Sequence, residues 1–151
     1  MSKIKTVLVG YGYWGPNLAR NLNNNPSIEF SAILEIDIDL HKKIKDDYPK
    51  IQIFTNIEEI NSDYDAAVLS TPATTHFLIG SQLLEKGLHV LIEKPLATNV
   101  EEAQNLIDIA EKNKLKLMVG HTYLYNPAVE KIKEILDSGE IGNLLTIHSE
   151  R

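Results

Sequence analysis

Short apolar runs recur along this chain and predict a series of β-strands. Four of them are continuously apolar rather than alternating: residues 6–9, 66–70, 89–92 and 116–119. Strands of this kind are typical of a parallel sheet that is buried on both faces. Two further segments are strand candidates: residues 28–35 and 51–54.

Between these strands, apolar residues recur at helical spacing. Residues 98–113 place five of them on one helical face: Val100, Ala103, Leu106, Ile107 and Ala110. Thr98, with Glu101 three positions later, predicts a capping box at the start of this helix. Residues 127–138 predict another helix, which Gly139 ends. Strands that alternate with helices predict an α/β fold, with a doubly wound parallel sheet and helices on both faces.

The composition narrows the class of protein. Of the 151 residues, 43% are apolar and 24% are charged, as in a folded soluble protein. The formal net charge of −6 argues against a nucleic-acid partner, which would require a basic face. The chain has no cysteine, so it has no disulfide or thiolate metal site, and we predict no metal ion. No apolar stretch is long enough for a signal peptide or a membrane span, so we expect a cytoplasmic protein that does not bind membranes.

Three glycines follow the first predicted strand in the pattern G-x-G-x-x-G, at Gly10, Gly12 and Gly15. The first allows a tight turn, the second lets a pyrophosphate approach the backbone, and the third lets a helix pack against the strand. Free N–H groups at the start of that helix favour phosphate binding. Tyr13 and Trp14 lie between the last two glycines and are candidate cofactor contacts. A glycine turn without a ligand has the same spacing, so the motif alone does not decide.

Glu35 ends the second predicted strand, at the distance from Gly15 where a dinucleotide-binding fold places the acid that accepts hydrogen bonds from the adenosine ribose. Asp37 and Asp39 are nearby acids, but they fall in the predicted turn and helix start. No arginine follows Glu35 directly, and a carboxylate would repel the 2′-phosphate of NADP. We therefore predict NAD as the cofactor, with NADP less favoured. The alternative is a solvated glutamate at a strand end.

Polar residues also follow the predicted strands that end near residues 70, 92 and 119. In an open α/β sheet the carboxyl ends of the strands form the ligand-binding edge. We therefore predict cofactor contacts from six residues there: Ser70, Thr71, Thr75, Glu93, Lys94 and His121. Lys94 is a cation on a loop that Pro95 makes rigid, although a solvated lysine would show the same pattern. A lone histidine such as His121 is also often structural.

Four motifs in order, GYGYWGPNLARN, STPATTH, EKPLA and GHTYLYNPAV, resemble the N-terminal half of the glucose–fructose oxidoreductase/inositol dehydrogenase (Gfo/Idh/MocA) family. In style they are closest to members from surface-polysaccharide and nucleotide-sugar pathways. The resemblance implies a Rossmann domain for NAD(P), followed by an α/β domain that forms the sugar site and the oligomer interface. It also implies that Lys94 is a catalytic residue near the nicotinamide, that Glu35 binds the ribose, and that Pro72 and His76 lie beside the cofactor.

The resemblance divides the chain into an NAD(P)-binding Rossmann domain, residues 1–142, and residues 143–151, which resemble the first strand of the family's second domain. That domain and its usual catalytic histidine lie outside this sequence, so we expect the 151-residue chain alone to be inactive. In full-length form we predict an NAD-dependent sugar or nucleotide-sugar dehydrogenase that is a homo-oligomer. Two alternatives are a stand-alone NAD-binding or regulatory module and a methyltransferase-type Rossmann domain that uses S-adenosylmethionine.

Overall fold

A computed structural model describes residues 2–150, which fold into an α/β arrangement in two compact units, one through Gly120 and one from His121. The strands of the described chain are β1 Ile4–Val9, β2 Ile28–Leu34, β3 Gln52–Phe54, β4 Ala66–Leu69, β5 His89–Ile92 and β6 Leu117–Val119. The α-helices are α1 Gly15–Asn24, α2 Asp39–Asp47, α3 His76–Glu85, α4 Val100–Lys112 and α5 Pro127–Ser138. Short 3₁₀ turns cover Ile57–Glu59, Ala73–Thr75 and Thr122–Tyr125.

The strands form one parallel sheet in the order β3-β2-β1-β4-β5-β6. This is the order of the doubly wound dinucleotide-binding sheet, in which the chain reverses direction across the sheet between β1 and β4. The predicted fold class is therefore confirmed. All six strands point the same way, so the loops that follow them emerge at one edge.

The sheet is covered on both faces because residues 7–9 of β1 and 66–69 of β4 are apolar at every position. Val7 and Val9 lie in a core with residues of α3 and α4, whereas Leu8 lies in a core with residues of α1 and α2. The alternation follows from the two-residue period of a strand. All three side chains are fully buried, so β1 is anchored from both sides where it enters the glycine-rich turn.

Two parts of this unit are more exposed than predicted. β6 lies at the edge of the sheet, where β5 is its partner, and Met118 is 41% exposed rather than buried. An edge strand lacks a neighbour on one side, so its apolar run does not guarantee burial. On α4, Val100 is 85% exposed, and the buried residues are Leu106 and Ala110. The apolar face of that helix is narrower than its sequence pattern predicts.

The capping box predicted for Thr98 and Glu101 is wrong, because α4 is capped one position later. The side chain of Asn99 accepts a hydrogen bond from the Glu102 N–H at 2.9 Å. Thr98 instead donates its hydroxyl to the Glu102 carboxylate at 2.8 Å. The helix therefore starts at Val100, and the loop before it is held by Glu102. Within residues 2–150, no helix is both long and apolar enough to cross a membrane.

In the second unit, α5 forms over the predicted residues and ends where Gly139 adopts a left-handed conformation with φ of 75°. The strand predicted after Gly142 does not form, since residues 143–150 have no regular secondary structure. A strand needs a neighbour for its backbone donors and acceptors, and no described residue pairs with this segment.

Candidate functional site

Backbone hydrogen bonds bring three of the predicted loops side by side at the carboxyl edge of the sheet. Gly10 donates its N–H to the last carbonyl of β2 at 2.9 Å, and Ser70 donates to the last carbonyl of β1 at 2.8 Å. Glu93 donates to the last carbonyl of β4 at 3.0 Å. The glycine-rich loop, the loop after β4 and the loop after β5 therefore start in one row, where open α/β sheets bind ligands.

The three motif glycines have different surroundings. Gly10 has φ of +94°, and a Cβ there would lie 2.6 Å from the Ser70 carbonyl oxygen. A Cβ on Gly15 would lie 2.6 Å from the carbonyl oxygen of Gly10. A Cβ on Gly12 would meet nothing within 4 Å. Packing of the fold explains the first and third glycines, whereas a side chain at the second would enter open space.

The start of α1 has no side-chain cap. Its N-cap residue, Trp14, makes no side-chain cap hydrogen bond, and Pro16 lies in the first turn. Pro16 has no N–H, and the Asn17 N–H donates to the Trp14 carbonyl at 3.0 Å, so Gly15 supplies the first uncapped N–H at the positive end of the helix dipole. Trp14 is 43% exposed and Tyr13 is 97% exposed, so both predicted contact residues are accessible from solvent.

Glu35 is buried at the end of β2, with an exposed fraction of 7%, and it holds the glycine-rich loop. Its Oε2 accepts a hydrogen bond from the Tyr11 N–H at 2.6 Å, and its Oε1 accepts one from the Asp37 N–H at 2.9 Å. A carboxylate oxygen has a second lone pair, so each oxygen can still accept from a ribose hydroxyl. Sequence reasoning found the residue but missed its link to the glycine loop.

Tyr11, which sequence reasoning did not single out, is the second anchor of that loop. It is only 2% exposed, and its hydroxyl donates to Asp47 on α2 at 3.0 Å. Burial, followed by the hydrogen bond to Asp47, raises the pKa of Tyr11 well above its ordinary value of 10.0. Nothing in the spacing distinguishes Tyr11 from the exposed Tyr13, so the difference arises from packing against α1 and α2.

Tyr11 makes the free energy of unfolding depend on pH in the alkaline range. The folded state keeps the phenol neutral while the unfolded chain ionises above about pH 10. Its contribution to the free energy of unfolding is therefore complete below pH 10 and is lost as pH rises further. We expect Tyr11→Phe to flatten this loss in denaturant unfolding between pH 9 and 11, and Tyr13→Phe to leave it unchanged. If the unfolding free energy of Tyr11→Phe falls with pH as steeply as that of the wild type, the pH dependence belongs to Tyr48, whose pKa is also raised by burial.

The loop after β4 is closed by a chain of hydroxyl hydrogen bonds. The Thr75 hydroxyl donates to the Pro72 carbonyl at 2.7 Å. Its single proton is then used, so in the 2.7 Å contact between the Thr71 and Thr75 hydroxyls Thr71 is the donor. Together with Ser70, whose carbonyl lies against Gly10, these residues form the wall of the edge next to the glycine-rich loop.

His76 is buried beneath residues 70–75 and does not form part of the exposed surface of this wall. Its ring is 1% exposed, with Nδ1 2.7 Å from the Pro95 carbonyl oxygen and Nε2 2.9 Å from the Thr71 carbonyl oxygen. Both ring nitrogens are therefore engaged by the protein. The resemblance placed His76 beside the cofactor, but the side chain offers no free nitrogen to a ligand.

The loop after β5 presents Lys94 at the edge. Lys94 is exposed, and among residues 2–150 its ammonium makes no ion pair. The Glu93 carboxylate accepts from the Lys94 N–H at 3.3 Å and lies 3.1 Å from the position of a Cβ on Gly120. A side chain at position 120 would require this carboxylate to shift by a few tenths of an ångström. His121 opens the second unit, and its place in the site stays a prediction.

Comparisons with known proteins agree with this geometry. Residues 4–121 match the model GFO_IDH_MocA, described as an oxidoreductase family with an NAD-binding Rossmann fold. The chain is 32% identical over 152 residues to inositol 2-dehydrogenase of Corynebacterium glutamicum, covering 97% of this chain and 45% of that protein. It is 32% identical over 85 residues to UDP-N-acetylglucosamine 3-dehydrogenase of Acidithiobacillus ferrooxidans, covering 56% of this chain and 27% of that protein.

A solved structure shares the fold. Scyllo-inositol dehydrogenase from Lactobacillus casei, crystallised with NAD(H) and scyllo-inositol, superposes with a TM-score of 0.86 at 22% identity, covering 94% of this chain and 43% of that one. The chain thus spans less than half the length of the relatives it matches. The glycine turn, the parallel sheet order and the family match lead to one conclusion: the chain belongs to the Gfo/Idh/MocA oxidoreductase family and contains its NAD-binding Rossmann domain.

Proposed function

We propose that this chain is the cofactor-binding part of a dehydrogenase that moves hydride between NAD and a hydroxyl-bearing carbon of a sugar or nucleotide sugar. The observation that carries the proposal is the open space at Gly12, in a loop whose other two glycines the fold itself requires. The names of the relatives, an inositol dehydrogenase and a nucleotide-sugar dehydrogenase, support a polyhydroxylated substrate. The family match favours a nicotinamide cofactor over S-adenosylmethionine.

The residues present fit NAD along the carboxyl edge. The backbone at Gly12 and the uncapped start of α1 would hold the pyrophosphate. Glu35 would accept hydrogen bonds from the adenosine ribose while keeping the glycine-rich loop in place. The wall formed by residues 70–75 would lie toward the nicotinamide, which supplies the hydride acceptor when the cofactor is bound.

Lys94 is the residue of this chain that we assign to the chemistry. Its ammonium is exposed on the loop after β5 and has no acidic partner among the described residues. A cation there would stabilise negative charge on the oxygen of a substrate hydroxyl, or accept its proton if the ammonium is first deprotonated. The catalytic histidine expected from the resemblance would come from a second domain. We also propose a homo-oligomer, which the resemblance implies, and a cytoplasmic location.

Cofactor preference is the first test of this proposal. We expect the chain to bind NAD more tightly than NADP, because the Glu35 carboxylate would face the 2′-phosphate. Ile36, which follows it, is 76% exposed and provides no cation, so Ile36→Arg should raise NADP affinity by about tenfold at little cost in stability. Calorimetric titration of both cofactors into both proteins measures this. Ile38→Arg, at a residue that is 73% exposed, is the matched control. Equal wild-type affinities for NAD and NADP would remove Glu35 from the ribose site.

Turnover separates an enzyme from a non-catalytic NAD-binding module. We expect the 151-residue chain to bind NAD but not to form NADH with inositols or nucleotide sugars. A two-domain form should form NADH with at least one of them. The two-domain form can be the product of the natural reading frame, if that frame continues past Arg151. It can also be made by joining this chain to the second half of the Corynebacterium relative. NAD binding without turnover in a folded two-domain form would support the module instead.

A further inference from the structure

Asp47 is an acidic residue whose position its own helix does not explain. It is the last residue of α2, where a negative charge opposes the helix dipole. Among residues 2–150 its carboxylate takes part in no ion pair, and it accepts one side-chain hydrogen bond, from the Tyr11 hydroxyl at 3.0 Å. That contact joins the end of α2 to the glycine-rich loop across 36 positions of sequence.

Of residues 10–14, which form the glycine-rich loop, Tyr11 is the one whose side chain is buried. The residues before and after it are glycines, which give the backbone more conformational freedom than any other residue. The two aromatic residues that follow are exposed. Among the side chains of the loop, only that of Tyr11 can therefore anchor it to the fold. Its ring packs in the core against α1 and α2, and its hydroxyl is held by Asp47.

The backbone of Tyr11 lies between two groups that we assign to NAD binding. Its N–H donates to Glu35 Oε2 at 2.6 Å. Its Cβ lies 3.7 Å from the position of a Cβ on Gly15, which supplies the first uncapped N–H of α1. Movement of Tyr11 would therefore disturb its contacts with both the ribose acid and the start of α1.

We propose that Tyr11 and Asp47 are a pair of positioning residues that hold the glycine-rich loop in the conformation in which it receives the pyrophosphate. The effect on NAD rests on the proposed function, whereas the hold on the loop does not. If breaking the pair lowers the population of the binding-competent loop to about a tenth, the apparent affinity for NAD falls by about tenfold.

The pair is tested by Asp47→Ala, with Asp46→Ala as the matched control, because both remove one exposed carboxylate from the same end of α2. We expect NAD affinity to fall by about tenfold in Asp47→Ala and to stay unchanged in Asp46→Ala. Coulomb's law alone predicts the opposite sign, since removal of an acid favours a negatively charged dinucleotide. Asp47→Asn keeps an acceptor oxygen and should restore part of the affinity. Wild-type affinity in Asp47→Ala, or an equal loss in Asp46→Ala, would overturn the proposal.

Tyr11→Phe keeps the ring and removes the hydroxyl, so it should weaken NAD binding as much as Asp47→Ala does. The double variant should bind no more weakly than either single variant, because both changes break one contact, and losses that add would contradict the pair. Amide hydrogen exchange reports on the loop without cofactor. The N–H of residue 11, which is bonded to Glu35, should exchange about tenfold faster in Asp47→Ala than in Asp46→Ala.

Exchange also separates this proposal from the proposed function. A folded wild-type chain that binds no NAD would show that the proposed function is wrong. Faster exchange of the residue 11 amide in Asp47→Ala would still support the hold on the loop in that case. Equal exchange in Asp47→Ala and in the wild type would overturn the hold whether or not NAD binds.

Discussion

Gly10→Ala is expected to lower the free energy of unfolding by about 2–5 kcal/mol, the largest stability effect we predict for a single methyl group in this chain. Two costs add at this position. The residue has φ of +94°, which L side chains rarely adopt, and the new Cβ would lie 2.6 Å from a backbone oxygen of Ser70. That oxygen belongs to the loop after β4, so relief of the clash must separate two neighbouring loops of the edge.

Gly12→Ala is the matched control, because the same methyl group meets no protein atom within 4 Å and φ there is not positive. We expect its unfolding free energy to stay within about 0.5 kcal/mol of wild type. Its NAD affinity should fall by about tenfold or more, since the methyl group would occupy the space assigned to the pyrophosphate. Denaturant unfolding and NAD titration of both variants measure the contrast. Wild-type NAD affinity in a stable Gly12→Ala protein would mean that the open space is not the pyrophosphate site.

The sheet was predictable from sequence because its signals are local and agree with one another. Residues 7–9 of β1 and 66–69 of β4 are continuous apolar runs, and burial on both faces of a parallel sheet demands that pattern. The glycine spacing likewise has a geometric cause, because Gly10 lies against the backbone of Ser70 and Gly15 lies against the backbone of Gly10. Where a residue follows from backbone geometry alone, a single sequence is enough to place it.

Residues whose surroundings come from distant segments could not be predicted in the same way. Tyr11 and Tyr13 are equivalent in the motif, yet one is buried against α2 and the other is almost fully exposed. Nothing in the sequence around His76 indicates that its ring lies between carbonyl oxygens from two loops. The apolar pattern of β6 also gave no sign that it would lie at the edge of the sheet. In each case the deciding contact joins parts of the chain that are far apart in sequence or depends on strand order.

Lys94→Ala is expected to slow hydride transfer in a two-domain form of the protein by roughly 10²-fold or more. The reason is the position of the ammonium, exposed at the carboxyl edge on a loop that also bears Glu93. Stabilisation of an oxygen that gains negative charge is stronger in the transition state than in the ground state, so it acts on rate rather than on binding. NAD affinity should therefore change little, in contrast to the effect of Gly12→Ala.

Two further variants separate the possible functions of Lys94. Lys94→Arg keeps the positive charge but cannot serve as a general base near neutral pH. It should recover much of the rate if the charge alone matters and none of it if the side chain takes the proton. Lys43→Ala removes an exposed lysine from α2 and should leave the rate unchanged. The measurement is single-turnover NADH formation with a substrate that the wild type oxidises, together with NAD titration of each variant. Near-normal hydride transfer in Lys94→Ala, or a loss that weaker NAD binding fully explains, would show that Lys94 is a solvated loop lysine with no part in the chemistry.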